Sequence, residues 1–187
     1  MIFPLLAVAT SCAGQPVPAV PPSYVDEAPL PAGWPQPGPY NEVAGKTYPA
    51  YRAAFTENSG ESVAFWTLFL HIKRKDIPMT APVEMTMADR GGDLAQEGMA
   101  FLYQNGAVGE AGPDGGKVEV KDIPAVKVLS YAWQGPDTKA NIATARARLE
   151  AALEARKARP LSFRLLGYNG PGTPREKRTW ELQAVIR

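Results

Sequence analysis

The chain is poor in the residues from which covalent and metal chemistry is usually built. It has one cysteine, Cys12, and one histidine, His71, in 187 residues. A single cysteine excludes an intrachain disulfide, so the fold must rest on its core. With that cysteine in the N-terminal stretch, no Cys–His pair can form inside a folded domain. No CxxC, HExxH, GxSxG or phosphate-binding glycine loop occurs either. Charge of one sign is also lacking: 20 Lys and Arg stand against 19 Asp and Glu, for a formal net charge of +1. Such a balance gives no general attraction to a phosphate backbone, and nucleic acid is not expected as a partner. What is present, 45% hydrophobic and 9% aromatic residues, suffices for one domain with a real core.

No charged residue precedes Asp26. The apolar run over residues 1–9 is too short to cross a bilayer and is like the apolar centre of a secretory signal, without its usual basic start. Cys12 sits where a bacterial lipoprotein signal is cut and acylated, although Ala9 stands where leucine is usual. Three parts are therefore expected: a signal or lipoprotein-type leader over residues 1–12, a proline-rich linker over 13–39, and a folded domain over 40–187. Export is expected, to the periplasm or to a membrane held through a lipid on Cys12. Plain secretion, or a disordered apolar terminus with a chance cysteine, remains the alternative. Proline fixes φ and removes backbone donors, so the linker reads as an extended spacer and the domain is expected to fold without it.

The folded part carries a repeat. Lys46, Pro49 and Ala50 return as Lys121, Pro124 and Ala125, at a constant offset of 75 from Lys46 to Lys121. A β-favourable stretch follows each copy, over residues 51–56 and 126–131. After the first, Asn58, Ser59 and Gly60 supply capping residues for a helix over 62–73; after the second, Asp137 or Thr138 caps a helix ending near Lys157. Strands are expected over 83–87 and 99–103, about a turn at Gly91 and Gly92, and over 163–168 and 179–186, about residues 170–172. Each half then reads strand-helix-strand-strand. Two such halves make an α+β domain whose mostly antiparallel sheet curls toward a barrel, with two helices packed on it. The first helix is apolar around most of its circumference, with Thr67 and His71 marking a polar edge. It is expected to be buried on nearly all sides, or to meet the core on one side and an apolar ligand on another. Glu84, Glu97 and Glu119 read as surface acids.

Met79-Thr80-Ala81-Pro82-Val83, directly after a helix bearing Phe65-Trp66 and Leu68-Phe69, resembles a landmark of the SOUL/haem-binding protein family. Gly167-Tyr168-Asn169 with Pro171, and the closing Arg178-Thr179-Trp180-Glu181-Leu182, are similar to two further family landmarks. The resemblance covers residues 40–187, and it implies a duplicated antiparallel α+β fold that binds haem or another planar tetrapyrrole beside the first helix. Such a ligand needs apolar walls, basic groups for its carboxylates and, optionally, an axial ligand. Phe65, Trp66, Phe69, Met79, Met85 and Met87 are candidate walls; for any one of them, ordinary core is the alternative. Arg52 and the run Lys73-Arg74-Lys75 are candidate carboxylate partners. His71 is a candidate axial and metal ligand, though family members often carry tyrosine there. A module for another apolar small molecule, or a hydrolase acting on one, stays open beside the tetrapyrrole reading.

Overall fold

The computed structural model describes residues 22–57 and 60–187. Its elements run β1 (Val43–Tyr48), β2 (Tyr51–Glu57), α1 (Glu61–Arg74), β3 (Val83–Arg90), β4 (Asp93–Leu102), β5 (Gly112–Asp114), β6 (Val118–Ile123), β7 (Val126–Gln134), α2 (Lys139–Ala155), β8 (Ser162–Gly167) and β9 (Thr179–Ile186). The strands form one antiparallel sheet in the order β1-β7-β9-β8-β3-β4-β2-β6-β5, with β1 and β5 at its edges. The sheet therefore curls without closing into a barrel.

The repeat explains this order. Within each half, strand, helix and hairpin follow as β2-α1-β3-β4 and β7-α2-β8-β9, and the two halves meet where β3 pairs with β8. The strand ahead of each unit crosses to the other half: β1 pairs with β7, and β6 with β2. Shifting by the repeat offset turns the pair Tyr48 with Val126 into Ile123 with Tyr51, and both pairs are present. Pro49 and Pro124, which cannot donate to a ladder, stand at the breaks where the chain leaves one half for the other. Thr138 caps α2 by accepting from the Asn141 backbone N–H at 3.2 Å. Of the capping residues expected for α1, Asn58 and Ser59 lie outside the described residues, and Gly60 occupies the N-cap without a side-chain bond.

Both helices lie on one face of the sheet. Leu68 and Ile72 of α1, and Leu149 and Leu153 of α2, close a core with Met85, Phe101, Leu165 and Leu182 beneath them. The opposite face carries a second apolar cluster, built on Tyr48, Tyr51, Leu102, Leu166 and Tyr168.

Residues 22–39, expected as spacer, cover that second face as a strap. Trp34 is only 6% exposed and packs against Tyr48 and Tyr51, with ring centroids 4.5 and 5.2 Å away. Backbone bonds fix the strap from both sides, Ala32 N–H to the Gln104 carbonyl at 2.8 Å and Ala81 N–H to the Pro29 carbonyl at 3.0 Å. A proline-rich chain has few donors of its own to satisfy, which lets it lie across a sheet face with its side chains doing the packing. Cys12 and residues 13–21 lie outside the described residues.

Under the strap is a buried polar network. Arg164 Nη1 donates to the Tyr51 hydroxyl at 2.8 Å and to Glu84 at 3.0 Å, and its Nε donates to Gln183 at 2.8 Å. Glu181 accepts from Lys46 Nζ and from the Tyr48 hydroxyl, each at 2.7 Å. Glu84, expected at the surface, is thus buried and paired. The strand alternation that puts Met85 and Met87 toward the helices turns Glu84 to the other face, and the strap keeps water from that face.

Candidate functional site

One opening lies where the N-terminal half of α1 leans over the sheet. It is a cleft of about 610 Å³, within the range of small-molecule sites. Phe65 and Trp66 of α1 make one wall; Met79 and Ala81, from the segment leading into β3, make another. Met85, Met99 and Trp180, on β3, β4 and β9, form the floor. The rim is polar: Glu27 of the strap, Asn169, Arg175 and Arg178 stand on one side, with Glu61 and Asp137 near the helix starts.

Local chemistry fixes these side chains. Phe65 stands edge-on to Phe101 of the sheet, centroids 5.2 Å apart, and anchors the wall. Trp180 lies flat against β8 because residue 167 is glycine; a Cβ there would sit 2.7 Å from the indole. The Trp180 indole N–H is buried and meets no hydrogen-bond acceptor among the described residues. Arg178 is held by the Thr173 carbonyl at 2.9 Å and the Pro171 carbonyl at 3.3 Å. Arg175 is exposed, its backbone carbonyl accepts from the Arg178 N–H at 3.3 Å, and its guanidinium has no hydrogen bond or ion pair among the described residues, which leaves it a free cation at the rim. Glu27 accepts from the Thr173 hydroxyl and from the Gly170 N–H at 2.6 Å; the hydroxyl bond, ahead of the other contacts, holds its carboxyl below the usual carboxylate range.

Of the residues expected from sequence, the structure brings Phe65, Trp66, Met79 and Met85 together at this cleft. Phe69 stands one turn behind, stacked parallel to Phe65 at 6.1 Å, and supports the wall without facing the opening. Met87 belongs to the core. Arg52 lies on β2, in a two-point ion pair with Asp122 at 2.7 and 2.9 Å, away from the cleft.

His71 is not brought to the cleft. It is buried in the last turn of α1, where Nδ1 meets Asp114 of β5 at 2.5 Å and Nε2 meets the Tyr103 hydroxyl at 2.7 Å. Both ring nitrogens are therefore engaged, and an iron could reach neither without breaking a buried bond. Arg74 and Lys75 join His71 at the same carboxylate. The hydrogen bond from His71, followed by that from Arg74, holds the Asp114 carboxyl below its usual range. Of the expected polar edge of α1, His71 is a tie to the connector between halves, flanking a separate cavity of about 320 Å³, and the Thr67 hydroxyl bonds back to the Val63 carbonyl. Sequence reasoning missed Trp180, Arg175 and Arg178 as cleft residues; their signal was position, since they directly follow the Gly167-to-Pro171 landmark.

These features define an α+β binding domain with an apolar, partly aromatic cleft and a charged rim. The chain belongs to the SOUL heme-binding protein family, whose family model matches residues 40–183. Its fold is similar to the C-terminal domain of EcmrR, at 15% identity and a TM-score of 0.58 over 78% of this chain and 97% of that one. It is also similar to a hydrolase from Listeria innocua, at 16% identity and a TM-score of 0.58 over 80% and 94%. An uncharacterized conserved protein from Listeria innocua shares the fold at 14% identity and a TM-score of 0.60, over 80% and 94%. In the EcmrR–DNA complex the chain spans 57% of the EcmrR chain it matches. At such identities the likeness is one of fold alone. No curated protein matches the chain in sequence.

Proposed function

We propose that this protein is a non-catalytic carrier or sensor of haem or a related planar tetrapyrrole, held in the cleft beside α1. The carrying observation is the cleft's composition: four aromatic side chains (Phe65, Trp66, Tyr168 and Trp180) and three methionines around a volume of about 610 Å³, with the free guanidinium of Arg175 at the rim. The residues fit the group. Phe65, Trp66, Met79 and Trp180 would hold the apolar disc, the orphaned Trp180 N–H offers it a donor, and Arg175 would meet a propionate. When bound, haem would supply an iron centre for ligand binding or electron transfer; a thioether of Met79, Met85 or Met99 is the soft donor that the cleft would offer it.

Titration with hemin tests this reading. A saturable, stoichiometric change in the Soret band is expected. Arg175→Glu should weaken affinity roughly fivefold by repelling the propionate it would otherwise pair. His71→Ala should leave the band position unchanged, while costing about 1–3 kcal/mol of stability because Tyr103 and Asp114 lose a buried partner. Hemin that fails to saturate, or that binds a denatured control equally well, would remove haem as the ligand. A band shift in His71→Ala would put the iron on the other side of α1.

The reading extends to location. The apolar run at residues 1–9 and Cys12 after it support export with an acyl tether, and among the described residues no helix is long and apolar enough to cross a membrane. Cys12→Ser should move the protein from the membrane to the soluble fraction of its cells; an unchanged distribution would rule out the acyl tether.

A further inference from the structure

The core-facing side of α1 is accounted for by the sheet, and its cleft-facing side by the ligand reading. A third side is not. Val63, Trp66 and Leu70, spaced i, i+3 and i+7, point outward at 49%, 58% and 61% exposure. One stripe of a helix thus shows three large apolar side chains to water. The stripe is continuous with the cleft, because Trp66 both lines the opening and stands in solvent.

Charge and chain path say what covers it. The last turn and cap of the same helix carry Lys73, Arg74 and Lys75; Asp114 takes ion pairs from Arg74 and Lys75, and Lys73 makes none among the described residues. The helix has a single acidic residue, Glu61, at its opposite end. At the cleft mouth Arg175 and Arg178 stand among the carboxylates of Glu27, Glu61 and Asp137, so the cationic flank of the stripe is the basic end of the helix. The chain reaches the domain at this rim too: the Tyr24 ring stands edge-on to Tyr168 at 5.7 Å, and Glu27 caps Gly170. Only nine residues, 13–21, separate Cys12 from the first described position. Even fully extended they span about 30 Å. Anything that holds the N-terminal segment at a membrane therefore holds the cleft mouth near its surface.

We infer that the outer face of α1 docks on a phospholipid bilayer bearing anionic headgroups, with Val63, Trp66 and Leu70 in the interface and the cleft opening toward the lipid. A surface helix of this kind combines an apolar stripe, a tryptophan at headgroup level and flanking lysine and arginine. An apolar ligand could then pass between bilayer and cleft without crossing water. The inference goes beyond the ligand reading and does not depend on acylation of Cys12.

The test uses the full chain carrying Cys12→Ser, floated with vesicles of equimolar phosphatidylglycerol and phosphatidylcholine, and with phosphatidylcholine alone. Binding is expected to be stronger to the anionic vesicles and to weaken with salt. In the same background, Val63→Ser with Leu70→Ser should reduce vesicle affinity roughly tenfold or more. Neither residue lines the cleft, so hemin affinity and thermal unfolding should stay as in the parent. Equal flotation of parent and double variant would overturn the inference, since residues 1–9 would then account for all binding. It would equally be overturned if the parent were a dimer that the double variant dissolves, because a second copy would then cover the stripe. A failed hemin titration strikes the ligand reading alone and leaves the vesicle result standing.

Discussion

Trp34→Ala is expected to lower stability by about 3–5 kcal/mol, as for other buried tryptophans, and to drop Tm by roughly 10 °C for a domain of this size. Trp34 sits in a stretch that reads as linker, yet it is buried against Tyr48 and Tyr51 and covers the Arg164 guanidinium. Its loss would leave a void over a polar network that depends on the exclusion of water. Starting the chain at Tyr40 should do more. Removal of residues 22–39 uncovers the aromatic cluster of the second face and leaves the carbonyl of Gln104 and the N–H of Ala81 without their strap partners. Calorimetry or denaturant unfolding of the three proteins is the measurement. Full cooperativity and an unchanged Tm in the chain that starts at Tyr40 would return residues 22–39 to the role of spacer.

Why the strap could not be seen in advance follows from how packing leaves its mark on sequence. A helix or strand that buries one side writes a period of 3.6 or 2 into the chain. A polyproline-like segment lying across a sheet writes none, and Trp34 stands among prolines and glycines like any isolated aromatic. The duplicated units were legible for the opposite reason. Val83 to Met87 alternates, Gly91 and Gly92 supply the turn, and Thr138 caps α2, each a local signal that tertiary contacts did not need to override. The crossing of β1 and β6 into each other's halves is a pairing between distant segments, which the offset of 75 hints at but does not specify. At the cleft, the members on α1 and in the Met79-to-Val83 segment were found because they adjoin the family landmark. Trp180 reaches the same floor from the last strand through a glycine contact visible only in three dimensions. His71 turned inward because Tyr103 and Asp114, far along the chain, offer both of its nitrogens a partner.

Arg164→Ala should be as damaging as the loss of Trp34, at about 3–5 kcal/mol, because it strands a buried charge. Burial opposes the Arg164 cation, but Glu84, followed by Tyr51 and Tyr48, more than offsets it and raises its pKa. The guanidinium lies near three aromatic rings, 5.1 Å from the Tyr48 centroid and 5.8 Å from those of Trp34 and Tyr51. Without it, Glu84 keeps only the Tyr51 hydroxyl, at 2.9 Å, and Gln183 loses a donor. Arg164→Met combined with Glu84→Gln should recover more than half of the loss, since the pair is then replaced by groups of similar shape with no charge left behind. Urea unfolding supplies the free energies, and a cost for Arg164→Ala below about 1 kcal/mol would mean that water reaches this network. A cycle with Trp34→Ala decides whether strap and network act together. If the indole is the lid of the guanidinium, the two single losses should overlap by about 1–3 kcal/mol in the double variant, whereas strict additivity would make the strap a covering of the aromatic cluster only.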